Sequence, residues 1–197
     1  MKHLIILLLT CFIFISCKEK SKPKQHFPYE HIDQVLTVDK AIKYYADGME
    51  FDINGELEKA INSYNKAFEF EQSPIILNQL AGIEFTKKEY EKSITLYKKG
   101  RKIDSLYFPI YISEARSYGV MNRFSEAEQL LFKLKRLTES DYWKSYADYY
   151  LGVIYFNSHE NCEKILEQVK KSKSIENDLD LKKQYLNFKQ HVKKNCG

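Results

Sequence analysis

The chain has 197 residues, 44% hydrophobic and 29% charged, with 31 Lys and Arg against 27 Asp and Glu for a formal net charge of +4. This balance excludes a disordered chain and leaves room for about one domain. A surplus that small argues against nucleic acid as a partner, and seven Gly with four Pro favour long helices over a strand-and-turn fold.

Met1-Lys2-His3 is a short basic start, and Leu4 to Ile15 is almost unbroken apolar chain. That run is shorter than the ~20 residues of a membrane-spanning helix and reads as the apolar part of a secretory signal. It ends in Phe14-Ile15-Ser16-Cys17 before an abrupt change to Lys18-Glu19-Lys20. An apolar run, a small residue and then Cys resembles the lipobox of bacterial lipoproteins, with Phe14 where Leu is usual. The resemblance implies a signal peptide over residues 1–16. Cleavage would precede Cys17, with a diacylglycerol on its sulfur and an acyl chain on the new amino group. More than one chain is what holds a protein durably to a bilayer. Residues 17–37 then form the lipidated Cys and a tether containing Pro23 and Pro28. About a dozen extended residues reach roughly 40 Å. His31 to Thr37 is expected to cover the start of the folded part.

From Asp39 onward the sequence repeats. Gly48-Met-Glu-Phe51 returns as Gly82-Ile-Glu-Phe85, 34 residues later. Tyr44, Gly48 and Phe51 fall on one helical face, and Leu57, Ala60, Ile61, Tyr64 and Ala67 on another after the turn at Asn54-Gly55. A second unit carries Gly82, Phe85, Tyr90, Ser93, Tyr97 and Gly100, opened by Ser73 as a cap and Pro74 at the first helical position. Pro109 opens a third, with Tyr111, Ala115, Tyr118, Phe124, Ala127, Leu131 and Leu134, and Ser125 with Glu128 as a capping box. A fourth retains Gly152 and Tyr155 but has Lys164-Ile165 where a small residue belongs. A fixed period of this length marks stacked helical hairpins.

The order aromatic, Gly, aromatic, Ala, aromatic, Ala resembles the tetratricopeptide repeat. The resemblance implies an all-α, right-handed superhelical solenoid of about four hairpins. Its repeat domain is placed at residues 38–175, with hairpins at about 39–73, 74–106, 107–140 and 141–175. Residues 176–197 follow as a capping helix, in which Leu181, Tyr185, Phe188 and Val192 make a single apolar stripe. An antiparallel arrangement about Asn177 sets Cys162 opposite residue 192 or so, about one turn from Cys196. These two cysteines are expected to pair in an oxidising compartment.

No catalytic constellation stands out. His159-Glu160 begins like a zinc-protease helix, but Glu163 occupies the place of the second His. There is no phosphate-binding glycine loop or nucleophile elbow. The chain is therefore expected not to be an enzyme and to need no cofactor or metal.

In the tetratricopeptide family the first helices line a concave groove. The resemblance places Tyr45, Met49 and Asp52 there, then Gln79, Ile83 and Thr86, then Ile112 and Arg116, then Tyr149, Val153 and Phe156. Tyr45 and Met49 stand where chaperone-binding members carry a basic clamp, so that ligand mode is not expected. The resemblance implies a non-catalytic scaffold at the bacterial cell envelope, lipid-anchored, with the outer membrane as its expected site. Its partner would be another envelope protein or peptide segment, and it would touch the bilayer through acylated Cys17. The alternative is a lipoprotein that captures a small ligand or glycan for nutrient uptake.

Overall fold

The computed structural model describes residues 36–178 and 180–197. The expected signal peptide, Cys17 and most of the expected tether, including residues 31–35 of the segment expected to cover the start of the fold, lie outside the described residues. Nine α-helices follow among the described residues: α1 Asp39–Ile53, α2 Leu57–Phe70, α3 Pro74–Thr86, α4 Tyr90–Ile103, α5 Pro109–Val120, α6 Phe124–Leu137, α7 Asp141–Asn157, α8 Cys162–Lys171 and α9 Lys182–Cys196. A 3-10 turn, Lys173–Asn177, precedes the last of them.

The helices pack as four consecutive hairpins, each also in contact with the next. The first helices of successive hairpins touch directly, α3 with α5 and α5 with α7. The second helices make no comparable contact with one another. The stack is therefore tighter on the first-helix side, and α1, α3, α5 and α7 form its inner row. This is an all-helical solenoid of tetratricopeptide-like hairpins closed by a C-terminal helix.

Prolines at the first turn start α3 and α5 as expected, because the missing N–H there has no intrahelical acceptor. Two expected caps do not form. Ser73 is buried and makes no capping hydrogen bond. Ser125 lies inside α6, which begins at Phe124 after Arg123, so no capping box exists there. The side-chain cap that does form is Asn161, whose side chain accepts from the Lys164 N–H at 2.9 Å.

The four hairpin turns fix the true register. Each first helix ends on a residue with positive φ: Gly55 (76°), Lys88 (63°), Asn122 (59°) and His159 (58°). The next N–H reaches back to the carbonyl of Phe51, Glu84, Tyr118 or Tyr155 at 2.8–2.9 Å. This is the bonding of a helix end closed through a left-handed residue. Aligned on these turns, the small residue at the hairpin crossing is Gly48, Ala81, Ala115 and Gly152, all buried. The sequence echo of Gly48 with Gly82 is thus one residue out of structural register. A Cβ added at Gly48 would sit 2.8 Å from the Tyr64 ring, whereas one at Gly82 would meet nothing within 4 Å. Gly48 is small because a helix crosses it; Gly82 faces open space. In the fourth hairpin Ile165, 3% exposed, takes the position of Ala60, Ser93 and Ala127 and fills the crossing with a large side chain.

Buried ion pairs tie second helices to the following first helices. Arg101 on α4 donates to both carboxylate oxygens of fully buried Glu114 on α5, at 2.6 and 3.0 Å. Lys135 on α6, at the equivalent place, meets Asp148 on α7 at 2.5 Å.

The end of the stack is closed by α9, which packs on α7, α8 and the 3-10 turn. Leu181, Tyr185 and Val192 of the stripe read from the sequence are buried, and Phe188 is half-buried. The Tyr185 hydroxyl donates to the Val169 carbonyl at 3.0 Å. Cys162 and Cys196 are joined as a disulfide, with Cα atoms 5.2 Å apart.

Candidate functional site

The turn-based register decides which side chains face inward. In the second hairpin the equivalents of Tyr45, Met49 and Asp52 are Asn78, Gly82 and Phe85, not the expected Gln79, Ile83 and Thr86. The one-residue shift rotates each expected position by about 100° around α3. Ile83 accordingly belongs to the core, 1% exposed. Gln79 instead donates through Nε2 to the Tyr45 hydroxyl at 2.7 Å, joining α1 to α3. Thr86 is exposed and its hydroxyl donates to the Gly82 carbonyl at 3.0 Å.

The other expected positions divide into open and covered. Met49 is 39% exposed and Asp52 half-buried. Tyr45 is buried, its ring edge-on to Tyr64 at 5.3 Å. Ile112 is also buried. At the fourth hairpin α9 takes the place a fifth first helix would occupy. It lays Tyr185 and Phe188 against Tyr149, with ring centroids 5.8 and 5.7 Å apart. Phe156 meets Phe188 at 6.1 Å and His191 at 5.1 Å. Val153 is half-buried beside this cluster. Tyr149, Val153 and Phe156 therefore hold the cap.

The inner row carries a strip in which Met49 and Arg116 are exposed and Gly82, Phe85, Tyr146 and Tyr150 are half-buried. At its centre the exposed Arg116 guanidinium lies over the Phe85 ring, 4.4 Å from the centroid. The charge of Arg116 also acts on the Tyr150 phenol. Tyr142, Tyr146 and Tyr150 continue the strip along α7 as a ladder, with centroids 5.8 and 5.5 Å apart. Phe85, Tyr146 and Tyr150 were missed by the sequence reading. Three tyrosines spaced by four were the available signal, since that spacing puts them on one helical face.

Arg116 differs from two of the other three arginines. Arg101 is committed to Glu114, and Arg123 to Glu91 and Glu126. Among the described residues no carboxylate pairs with Arg116. A guanidinium held by its face on an aromatic ring keeps its N–H edge available for a planar anion. Burial pushes the Tyr45 and Tyr149 phenols up to about 12. Burial also raises Tyr150, opposed by the charge and hydrogen bond of Arg116. All three rings are therefore neutral, hydrogen-bond-donating phenols across the physiological range. Among the described residues no group of three or more His, Cys, Asp and Glu side chains could hold a metal ion. None of the described helices is long and apolar enough to cross a membrane.

These features define a tetratricopeptide-like solenoid with an aromatic inner strip centred on one arginine. No protein-family model matches the chain, and no curated protein matches it. Among solved structures it is similar to MamA 41-end from Desulfovibrio magneticus RS-1, at 18% identity and TM-score 0.59, over 81% of this chain and 96% of that one. It is also similar to a structure described as the crystal structure of MamA protein, at 18% identity and TM-score 0.58, over 78% of this chain and 90% of that one. Likeness at this level of identity concerns the fold.

Proposed function

We propose that this protein is a non-catalytic scaffold of the bacterial cell envelope, tethered through a lipidated Cys17, that holds a segment of another envelope protein in its concave strip. The observation that carries the binding role is the Arg116 centre: an exposed guanidinium stacked on Phe85, beside Tyr150, with no carboxylate partner among the described residues. Arg and Tyr are the residue types that dominate binding energy where proteins meet. The strip supplies them on a rigid row of helices, which lowers the entropy cost of docking. The partner's segment would place apolar or aromatic side chains on the tyrosine ladder and a carboxylate on Arg116. The apolar run that ends in Ser16-Cys17 supports the anchoring part of the reading.

The test is a pull-down from detergent-solubilised envelope with the wild-type chain and with Arg116→Gln plus Tyr150→Ala. A discrete protein retained by the first and lost by the second supports the reading. Equal retention by both, or none by either, rejects it. Globomycin-sensitive processing and loss of membrane association on Cys17→Ser test the anchor separately.

A further inference from the structure

The second helix of the last hairpin and the cap together carry a charge surplus as large as that of the whole chain. Residues 162–197 hold nine lysines against five acidic side chains, a difference equal to the net +4 of the whole sequence. Three of the nine are engaged. Lys171 pairs with Glu167, Lys189 with Glu176, and Lys164 with Glu128 and Glu160. Lys170, Lys173, Lys182, Lys183, Lys193 and Lys194 are exposed and form no ion pair with any of the described residues.

Two of the unpaired lysines border a cavity. Lys170 and Lys173, with Lys189, rim an open cleft of about 300 Å³ between α8 and α9, whose apolar lining is Leu166, Val169 and Tyr185. Leu166 is 41% exposed there, and Leu186 on α9 is 37% exposed. The lining is fixed, because Tyr185 is buried and its hydroxyl is bonded to the Val169 carbonyl. The disulfide at the far ends of α8 and α9 holds the two helices together. Its volume is at the low end for ligand sites. That is room for one or two apolar side chains.

We infer that this cleft is a second docking surface, separate from the concave strip. Its occupant is an acidic peptide segment of a partner protein. The segment inserts an apolar side chain between Leu166, Val169 and Tyr185 and sets carboxylates against Lys170, Lys173 and Lys189. Charge complementarity selects the acidic partner, and the concavity selects a protruding side chain over a flat surface. A bilayer would need the lysines and leucines on one flat face, whereas here Lys170, Lys173 and Lys189 line a cleft. Such a site steers acidic partners on approach and weakens as salt screens it.

The probe is a terminally blocked heptapeptide of glutamates with leucines at its second and fifth positions. It is titrated by isothermal calorimetry and by NMR into the disulfide-bonded chain. The expected result is saturable binding that weakens with added salt and shifts the signals of Leu166 and Tyr185. Replacing the glutamates by glutamines abolishes it, and Lys170→Gln with Lys173→Gln weakens it about ten-fold. Leu166→Gln, at an exposed position, weakens it without changing the helical circular dichroism. Equal binding of the glutamine peptide, or an unchanged affinity in the double lysine variant, overturns the proposal. So does absence of peptide binding, and in that case binding to mixed phosphatidylcholine–phosphatidylglycerol vesicles would identify the patch as a membrane contact instead.

Discussion

Alanine at Gly48 and at Gly82 should have different effects on stability, although the two glycines sit in the same four-residue sequence echo. Both are interior helical positions, so each substitution gains about 1 kcal/mol of helix propensity. At Gly82 nothing lies within 4 Å of the new methyl group, and the gain is expected in full. At Gly48 the methyl would stand 2.8 Å from two carbons of the Tyr64 ring. That ring is fully buried and set edge-on to Tyr45, so it yields only by disturbing the crossing of α1 and α2. Overpacking of this kind costs about 1–3 kcal/mol, leaving Gly48→Ala neutral to about 2 kcal/mol less stable. The two variants should therefore differ by about 1–3 kcal/mol, with Gly82→Ala melting about 2–4 °C above the wild type. Urea and thermal unfolding followed by circular dichroism measure both. Equal destabilisation by the two alanines would show that the echo, not the turn, sets the register, and would refute the reasoning.

Arg101→Met strands the buried Glu114 carboxylate and should cost about 3–5 kcal/mol, while adding Glu114→Leu should restore most of it; urea unfolding of the single and double variants decides. At alkaline pH the folded Tyr45 and Tyr149 ionise only at about 12, against 10.0 for an exposed phenol. Their contribution to stability is intact below pH 10 and is lost as pH rises toward 12, at about 1.4 kcal/mol per pH unit for each ring. Unfolding midpoints that stay flat up to pH 11 would contradict this. Reducing Cys162–Cys196, 34 residues apart, should cost about 4 kcal/mol by the loop-entropy estimate. Because a solenoid is held together by neighbour contacts, hydrogen exchange should rise across α9 and α8 and change little in α1–α4.

The architecture was legible because its signals are local and redundant. Pro74 and Pro109 start helices wherever they fall, and the stripe from Leu181 to Val192 can only be a helix with one buried face. The pairing of Cys162 with Cys196 followed from folding two segments back about Asn177. The second hairpin's register was not legible, because glycine serves two purposes in this chain. Gly48 makes room for Tyr64, and Gly82 lies on an open face, and nothing local distinguishes them. Lys88 compounded the difficulty: it takes the left-handed turn position that Gly55 fills in the first hairpin, and lysine gives no hint of positive φ. The covering of Tyr149, Val153 and Phe156 was hidden for another reason. The capping helix was recognised as such, but not as the occupant of the next inner position, where it replaces solvent or partner. Tyr146 and Tyr150 were visible as a spacing of four, yet the place of Tyr150 in the strip depends on Arg116, which comes from a different helix.

Site-specific photo-crosslinking in living cells tests the central claim most directly. A benzophenone side chain is placed at Met49, on the open inner strip, and in a second strain at Lys133, exposed on the second helix of the third hairpin. The concave-strip reading requires a discrete envelope protein crosslinked from position 49 and not from 133, and lost when Arg116→Gln is added. The same products from both positions, or a product from 49 that is indifferent to Arg116, would contradict it.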